Sequence, residues 1–168
     1  RSRGPGSVKT RFISALTCRG RVFLQSTVEA LCERVYTLDN ELGLARYYLA
    51  ALAERAASLG AELILCPDPV DPKLLEAVLL PELGLGFIAV GSGVSYDGPV
   101  WRHVRLDALP ERAAVAGARS DIRLARRLSA QTLGFAAEKL AEAKALHDEL
   151  EAIYNGHVDF DGLYSAAD

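Results

Sequence analysis

Residues 34–49 read Arg34-Val-Tyr-Thr-Leu-Asp-Asn-Glu-Leu-Gly-Leu-Ala-Arg-Tyr-Tyr-Leu49, and this stretch decides the fold. Val35 to Leu38 are β-branched, aromatic or apolar and read as a strand, whereas from Leu42 the apolar residues fall at helical spacing through Leu49, Leu52 and Ala53. A tight loop separates the two. Strand, loop and helix in this order make a layout in which backbone N–H groups of the loop and of the first helical turn can hold a phosphate.

Working outward, the helix is expected to run to about Ser58 and to stop at Leu59-Gly60, since Gly suits the left-handed position past a helix end. Ala61 to Cys66 reads as the next strand, completing a βαβ unit for which a parallel sheet is the default. Three prolines in 67–72, interleaved with Asp68 and Asp71, force an exposed turn. Lys73 to Ala77 reads as a helical turn ahead of Val78-Leu79-Leu80. Leu85 to Val90 is the most apolar strand, the natural centre of a doubly covered sheet. A Gly-rich loop over 91–99 and one more strand at His103 to Leu106 follow. From about Ser120, Leu124, Leu128, Leu133, Leu140, Leu146, Leu150 and Ile153 mark a long helix that ends at Asn155-Gly156.

Upstream, residues 1–9 mix Arg, Ser, Gly and Pro and read as a flexible lead-in, leaving residues 10–168 as a single domain. Thr10 to Thr17 and Val22 to Leu24 are short enough to favour strands. A short helix with Ser26 as N-cap then carries Val28, Leu31 and Cys32 on one face. Alternating strands and helices of this kind predict an α/β three-layer sandwich, a mostly parallel sheet with helices on both faces and a long C-terminal helix. Ligands in such sheets sit beyond the carboxyl ends of the strands, so the 39–47 loop, the 67–72 turn and the 91–99 loop are expected to converge.

The chain has 168 residues, half of them hydrophobic, which suits one core. A formal net charge of −3 gives no electrostatic reason to expect nucleic acid or an anionic membrane as partner. Cys18, Cys32 and Cys66 are an odd, scattered set, which fits a reducing cytoplasm, and no apolar run approaches the ~20 residues of a membrane span. No methionine occurs, even at position 1, which leads to the expectation of a segment from a longer protein.

Two runs carry a resemblance: Asp71 to Gly84, patterned Asp-Pro-x-x-Leu-x-x-Val-Leu-Leu-Pro-Glu-Leu-Gly, and Ala143 to Glu151, Ala-Lys-x-Leu-His-Asp-Glu-Leu-Glu, with Asp159-Phe160 beyond it. With the order of elements, they make most of positions 11 to 163 resemble one repeat of the bacterial two-repeat P-loop ATPase-like family. The resemblance implies a P-loop NTPase-like fold and ATP as nucleotide. In that family the first strand of the unit leads into G-x-x-x-x-G-K-[ST]. Placing Arg46 on the lysine puts Asn40 on the first Gly, Gly43 at an interior position, Ala45 on the Gly before the lysine, and Tyr47 on the Ser/Thr.

Each substitution weakens phosphate binding. Ala45 is expected to add strain and a methyl group where the backbone must bend, Arg46 offers a broad fork in place of an ammonium, and the Tyr47 phenol is too far from the helix to ligate Mg²⁺. Counting from Pro81-Glu82, the acid expected at the end of the apolar strand is Ala89. The resemblance thus implies a degenerate, non-hydrolysing P-loop domain with no catalytic residue, no metal and no cofactor, partnered by another P-loop repeat or in a homo-oligomer. The alternative is an ATP- and Mg²⁺-binding ATPase or nucleotide switch, in which Arg46 replaces the lysine and Asp39, Glu41 or Asp97 supplies a ligand.

Other motifs are weaker. Gly84-Leu-Gly-Phe-Ile-Ala89 matches a dinucleotide fingerprint but begins a strand instead of following one. Gly91-Ser92-Gly93 is not a nucleophile elbow. His103, His147 and His157 lie apart, and Arg119, Arg123, Arg126 and Arg127 form a basic cluster whose sharper meaning is an anion or partner contact. Glu138, Glu142, Asp148 and Glu149 mixed with Lys139 and Lys144 read as a solvated helix face.

Overall fold

The computed structural model describes residues 6–91 and 93–159 together with Gly162 and Ser165. Arg1 to Pro5, Ser92 and Phe160, which figure in the sequence reading, lie outside the described residues. In chain order the elements are β1 (Val8–Thr10), β2 (Ser14–Thr17), β3 (Gly20–Phe23), α1 (Gln25–Leu31), β4 (Arg34–Asp39), α2 (Ala45–Ser58), β5 (Leu63–Pro67), β6 (Leu75–Leu80), β7 (Leu85–Val90), β8 (Arg102–Val104), α3 (Arg112–Gly117) and α4 (Arg119–Asn155). The central sheet runs β1-β5-β6-β7-β4-β8. β1 with β5, β4 with β7 and β4 with β8 are parallel, and only β6 is reversed against its neighbours β5 and β7. The molecule is therefore α/β, with a mostly parallel sheet and a long C-terminal helix.

Alternation along the inner strands sorts the core onto two faces. Leu38, Val78, Leu80, Phe87 and Ala89 point to one side, where α2 brings Ala45, Leu49, Ala53 and Ala56 at helical spacing. Val35, Ala77, Leu79 and Ile88 point to the other, where α1 contributes Val28, the residue after it Cys32, and the lead into the β2–β3 hairpin Ile13. The second face is thus covered by a seven-residue helix and a separate two-stranded hairpin. Full burial of each Leu, Ile or Val contributes about 1.5–3 kcal/mol, and both clusters draw on β4, β6 and β7.

Three sequence expectations are corrected. Val8 and Lys9, assigned to a flexible lead-in, pair in register with Leu63 and Ile64, because the exposed edge of β5 offers them a ladder of backbone partners. The helical turn expected over 73–77 is instead a turn closed at Leu74, whose N–H donates to Asp71 O at 2.9 Å, after which Leu75–Leu80 is a strand. With both faces buried, β6 lacks the alternation that identifies a half-exposed strand, and Glu76 interrupts its apolar run. Ser26 lies inside the first turn of α1 and makes no cap; the N-cap is Leu24.

β4 and β5 point the same way, yet β6 and β7 lie between them. Gly60, at φ +74°, ends α2 in the left-handed conformation expected of it. α4 spans 37 residues, about 55 Å at 1.5 Å per residue, and has no buried residue. It rests on β2 and β3, where Leu133, Ala136 and Ala137 are half-buried.

Candidate functional site

β4, β5 and β7 all end at one edge of the sheet, and β6, being reversed, begins there. A cavity of about 80 Å³ opens at that edge, lined by Asn40 and Arg46 from the loop and helix after β4, Asp68 after β5, Glu76 of β6, Gly91 after β7, and Arg21 of the hairpin. The three segments expected to converge do meet. Small-molecule sites usually measure roughly 300–1,000 Å³, so the space holds a few water molecules and not a nucleotide.

The loop over 40–44 is satisfied from within. Gly43, at φ +71°, makes the left-handed bend, and its N–H donates to Asn40 O at 3.2 Å. The N–H groups of Glu41 and Leu42 donate to Asp107 Oδ2 and Oδ1 at 2.9 and 3.1 Å, and that of Ala45 donates to Asn40 Oδ1 at 3.2 Å. Donors that a phosphate would need in a loop of this layout thus point at carboxylate and amide oxygens of the same chain. Ala45 is not the strained residue that the sequence suggested. It is the first residue of α2, fully buried in the core, because Gly43 has already made the bend.

Arg46, on the cavity wall, is engaged by its neighbour. Its guanidinium stacks 4.7 Å from the centre of the Tyr47 ring, and Nη2 donates to the Tyr47 hydroxyl at 3.0 Å. Tyr47 is largely exposed. At the two positions where the resemblance places the metal's ligands stand this outward phenol and Ala89, whose methyl is in the core. Two of the three carboxylates offered as substitutes are engaged: Asp39 Oδ1 lies 2.7 Å from His103 Nε2, and Glu41 Oε2 accepts from Arg126 Nη2 at 2.9 Å. Asp97 is tied through its N–H to Gln25 beside α1. These residues do not fit a magnesium nucleotide.

Beside the loop lies a charged cluster. Glu76, 3% exposed, accepts on Oε2 from Ser14 Oγ at 2.6 Å and from Arg21 Nη2 at 3.0 Å, and the same Nη2 donates to Asp68 Oδ2 at 2.7 Å. Burial pushes the Glu76 carboxyl above its ordinary pKa, outweighing Ser14 and Arg21. Burial acts on Asp68 in the same sense, but Arg21 and the N–H groups of Val70 and Asp71 hold it below the ordinary carboxylate value. The Arg21 guanidinium loses hydration on burial, yet its two acids raise its pKa. Arg21 Nε and Glu76 Oε1 are buried without a hydrogen-bond partner among the described residues. Ser14 is itself buried, so its hydroxyl braces the carboxyl and is not an exposed nucleophile.

Sequence reasoning missed Arg21, Glu76 and Asp107. Their partners stand 47 to 66 residues away, and no local pattern marks them. Among the basic residues of α4, Arg126 reaches the loop, donating to Glu41 O at 3.0 Å as well as to its side chain. His147, Asp148 and Glu151 lie close together but on exposed α4, with Asp148 bonded to Lys144. No helix among the described residues is long and apolar enough to cross a membrane. Comparison of the chain with protein families, curated proteins and solved structures finds no match.

Proposed function

We propose that this chain is a degenerate P-loop NTPase-like domain that does not hydrolyse nucleotide and serves as a structural or regulatory half, packed against an intact P-loop repeat or a second copy. The observation that carries this is the Asp107 carboxylate gripping the N–H groups of Glu41 and Leu42. A phosphate entering the loop has to displace an anion already held by covalent tethering, at high effective concentration. Tyr47 and Ala89, at the metal-ligand positions, leave the transferring phosphoryl without its electrophile. Tyr47, Tyr48, Leu44, Leu106 and Leu109 line a shallow apolar groove beside the loop, better suited to a protein surface than to a triphosphate.

The test is Mg²⁺-dependent ATP turnover together with calorimetry. The expected result is no turnover and no binding heat at ~1 mM ATP, the weak end of the affinity range. Turnover that disappears in Arg46→Ala overturns the proposal. The alternative, an ATP-binding switch with an atypical loop, draws on Arg46 standing in the first turn of α2 at the cavity's rim. It requires Asp107 to swing away, and saturable ATP binding strengthened in Asp107→Ala favours it.

A further inference from the structure

We infer that the cavity at the strand edge is a binding site for a small neutral molecule carrying a carboxamide group, held between Arg21 and Glu76. Both residues line the cavity, and each has one polar atom, Arg21 Nε and Glu76 Oε1, that is buried without a hydrogen-bond partner among the described residues. The Glu76 side chain is only 2% exposed, so bulk water does not stand in for that partner. Buried polar groups are almost always paired, because an unpaired one has lost its hydration for nothing in return. Here Nε–H lacks an acceptor and Oε1 lacks a donor. A carboxamide supplies both, its oxygen to Arg21 and its N–H to Glu76.

The rest of the cluster is already fixed. Arg21 Nη2 is committed to Asp68 Oδ2 and Glu76 Oε2, and Ser14 Oγ donates to the same Oε2. The two open atoms are therefore held in place before a ligand arrives, which lowers the cost of binding.

Charge selects a neutral ligand. The charged residues on the cavity wall are Arg21, Arg46, Asp68 and Glu76, whose formal charges cancel. An anion drawn to Arg21 meets Glu76, and a cation drawn to Glu76 meets Arg21, whereas a dipole set between them is favoured by both. Burial raises the pKa of Glu76, and the amide suits the protonated carboxyl too, since its oxygen then accepts from both residues.

Size points the same way. An apolar cavity of ~150 Å³ takes a six-carbon ring, so about 80 Å³ encloses roughly three heavy atoms, the number in the carboxamide group. A water occupies only ~30 Å³, and Leu74, Leu75, Ala89 and Val94 on the wall give further waters nothing to bond.

The test is a titration of the isotope-labelled whole chain with propionamide, read at the Arg21 Nε–H resonance, which is identified by its loss in Arg21→Lys. It is run without nucleotide, so its outcome is separate from that of the turnover assay. The resonance is expected to shift and saturate with a dissociation constant on the order of 1 mM, as suits so small a ligand. Propionate and propylammonium, of nearly the same shape, are expected to bind at least about tenfold more weakly.

Leu74→Trp, at a half-buried wall position, is expected to fill the space and abolish binding while the circular dichroism of the fold is kept. Arg21→Lys keeps the cation but removes Nε–H, and is expected to lose at least about tenfold in affinity, read by calorimetry. An Arg21 resonance unmoved at ~100 mM propionamide, as when water alone fills the cavity, overturns the proposal. Equal binding of either ion, or unchanged binding in Leu74→Trp, overturns it as well.

Discussion

Asp107 grips Glu41 and Leu42 through both of its carboxylate oxygens, joining the loop after β4 to the segment after β8 across more than 60 residues of sequence. Hydrogen bonds to a charged acceptor contribute about 1.5–3 kcal/mol when protected and less in water, and the Glu41 bond is exposed. Asp107→Ala is therefore expected to cost about 1–2 kcal/mol. Urea unfolding should show a lower midpoint at unchanged slope, and the amides of Glu41 and Leu42 should exchange faster; an unchanged midpoint rejects the role assigned to Asp107.

Arg21→Met is expected to be the most costly change at the strand edge. Removing one partner of a buried ion pair costs about 3–5 kcal/mol, because the other charge is left without compensation. Protonation of Glu76 moderates that cost, so the variant should be less destabilised in mild acid than at neutral pH. A loss that is equal at both pH values contradicts this.

The two acids that hold Arg21 act in opposite directions on pH dependence. Glu76 has a raised pKa in the fold, so the folded state binds more protons there, and stability falls as pH rises from the ordinary carboxyl range through the raised value. Asp68 has a lowered pKa, so its contribution is present above the ordinary value and is lost as pH falls through the lowered one. Glu76→Gln should flatten the upper part of a stability-against-pH curve and Asp68→Asn the lower part. Identical curves for the two variants defeat the assignment.

Burial pushes the Cys66 thiol up to about 12 and the Cys32 thiol up to about 11. Neither should react with a thiol reagent while the protein is folded, since the thiolate is the nucleophile. Cys18 is only half-buried and should react first. Mass spectrometry is expected to find one label in the native protein and three after unfolding; early labelling of Cys66 counts against the burial described.

Elements whose identity is set locally were legible in the sequence. Leu85–Val90 matches its expected bounds, β4 and α4 differ from theirs by about a residue at each end, and α2 ends at Ser58 as expected but starts at Ala45, three residues after Leu42. The convergence of three loops was also legible, since it follows from strand direction alone. What failed was non-local. β6 takes its identity from neighbours on both sides and from Arg21, which makes a buried Glu76 tolerable in the middle of a sheet. Val8 became a strand because of Leu63, and the role of Asp107 needed two segments to meet. Ala45 was misjudged because the position of the left-handed residue was assigned by motif, whereas the backbone made its bend two residues earlier, at Gly43.

The reversal of β6 also bears on the order in which the sheet assembles. β5, β6 and β7 are consecutive in sequence, adjacent in space and joined by short turns, so the half of the sheet they form needs little loop closure. β4 must instead reach across from beyond α2, and β1 from beyond the hairpin. Mutations within the meander should slow folding, and those in β4 should chiefly speed unfolding. The bend that resembles an anion cradle would then be the last part of the domain to take shape, imposed by strands that have already met.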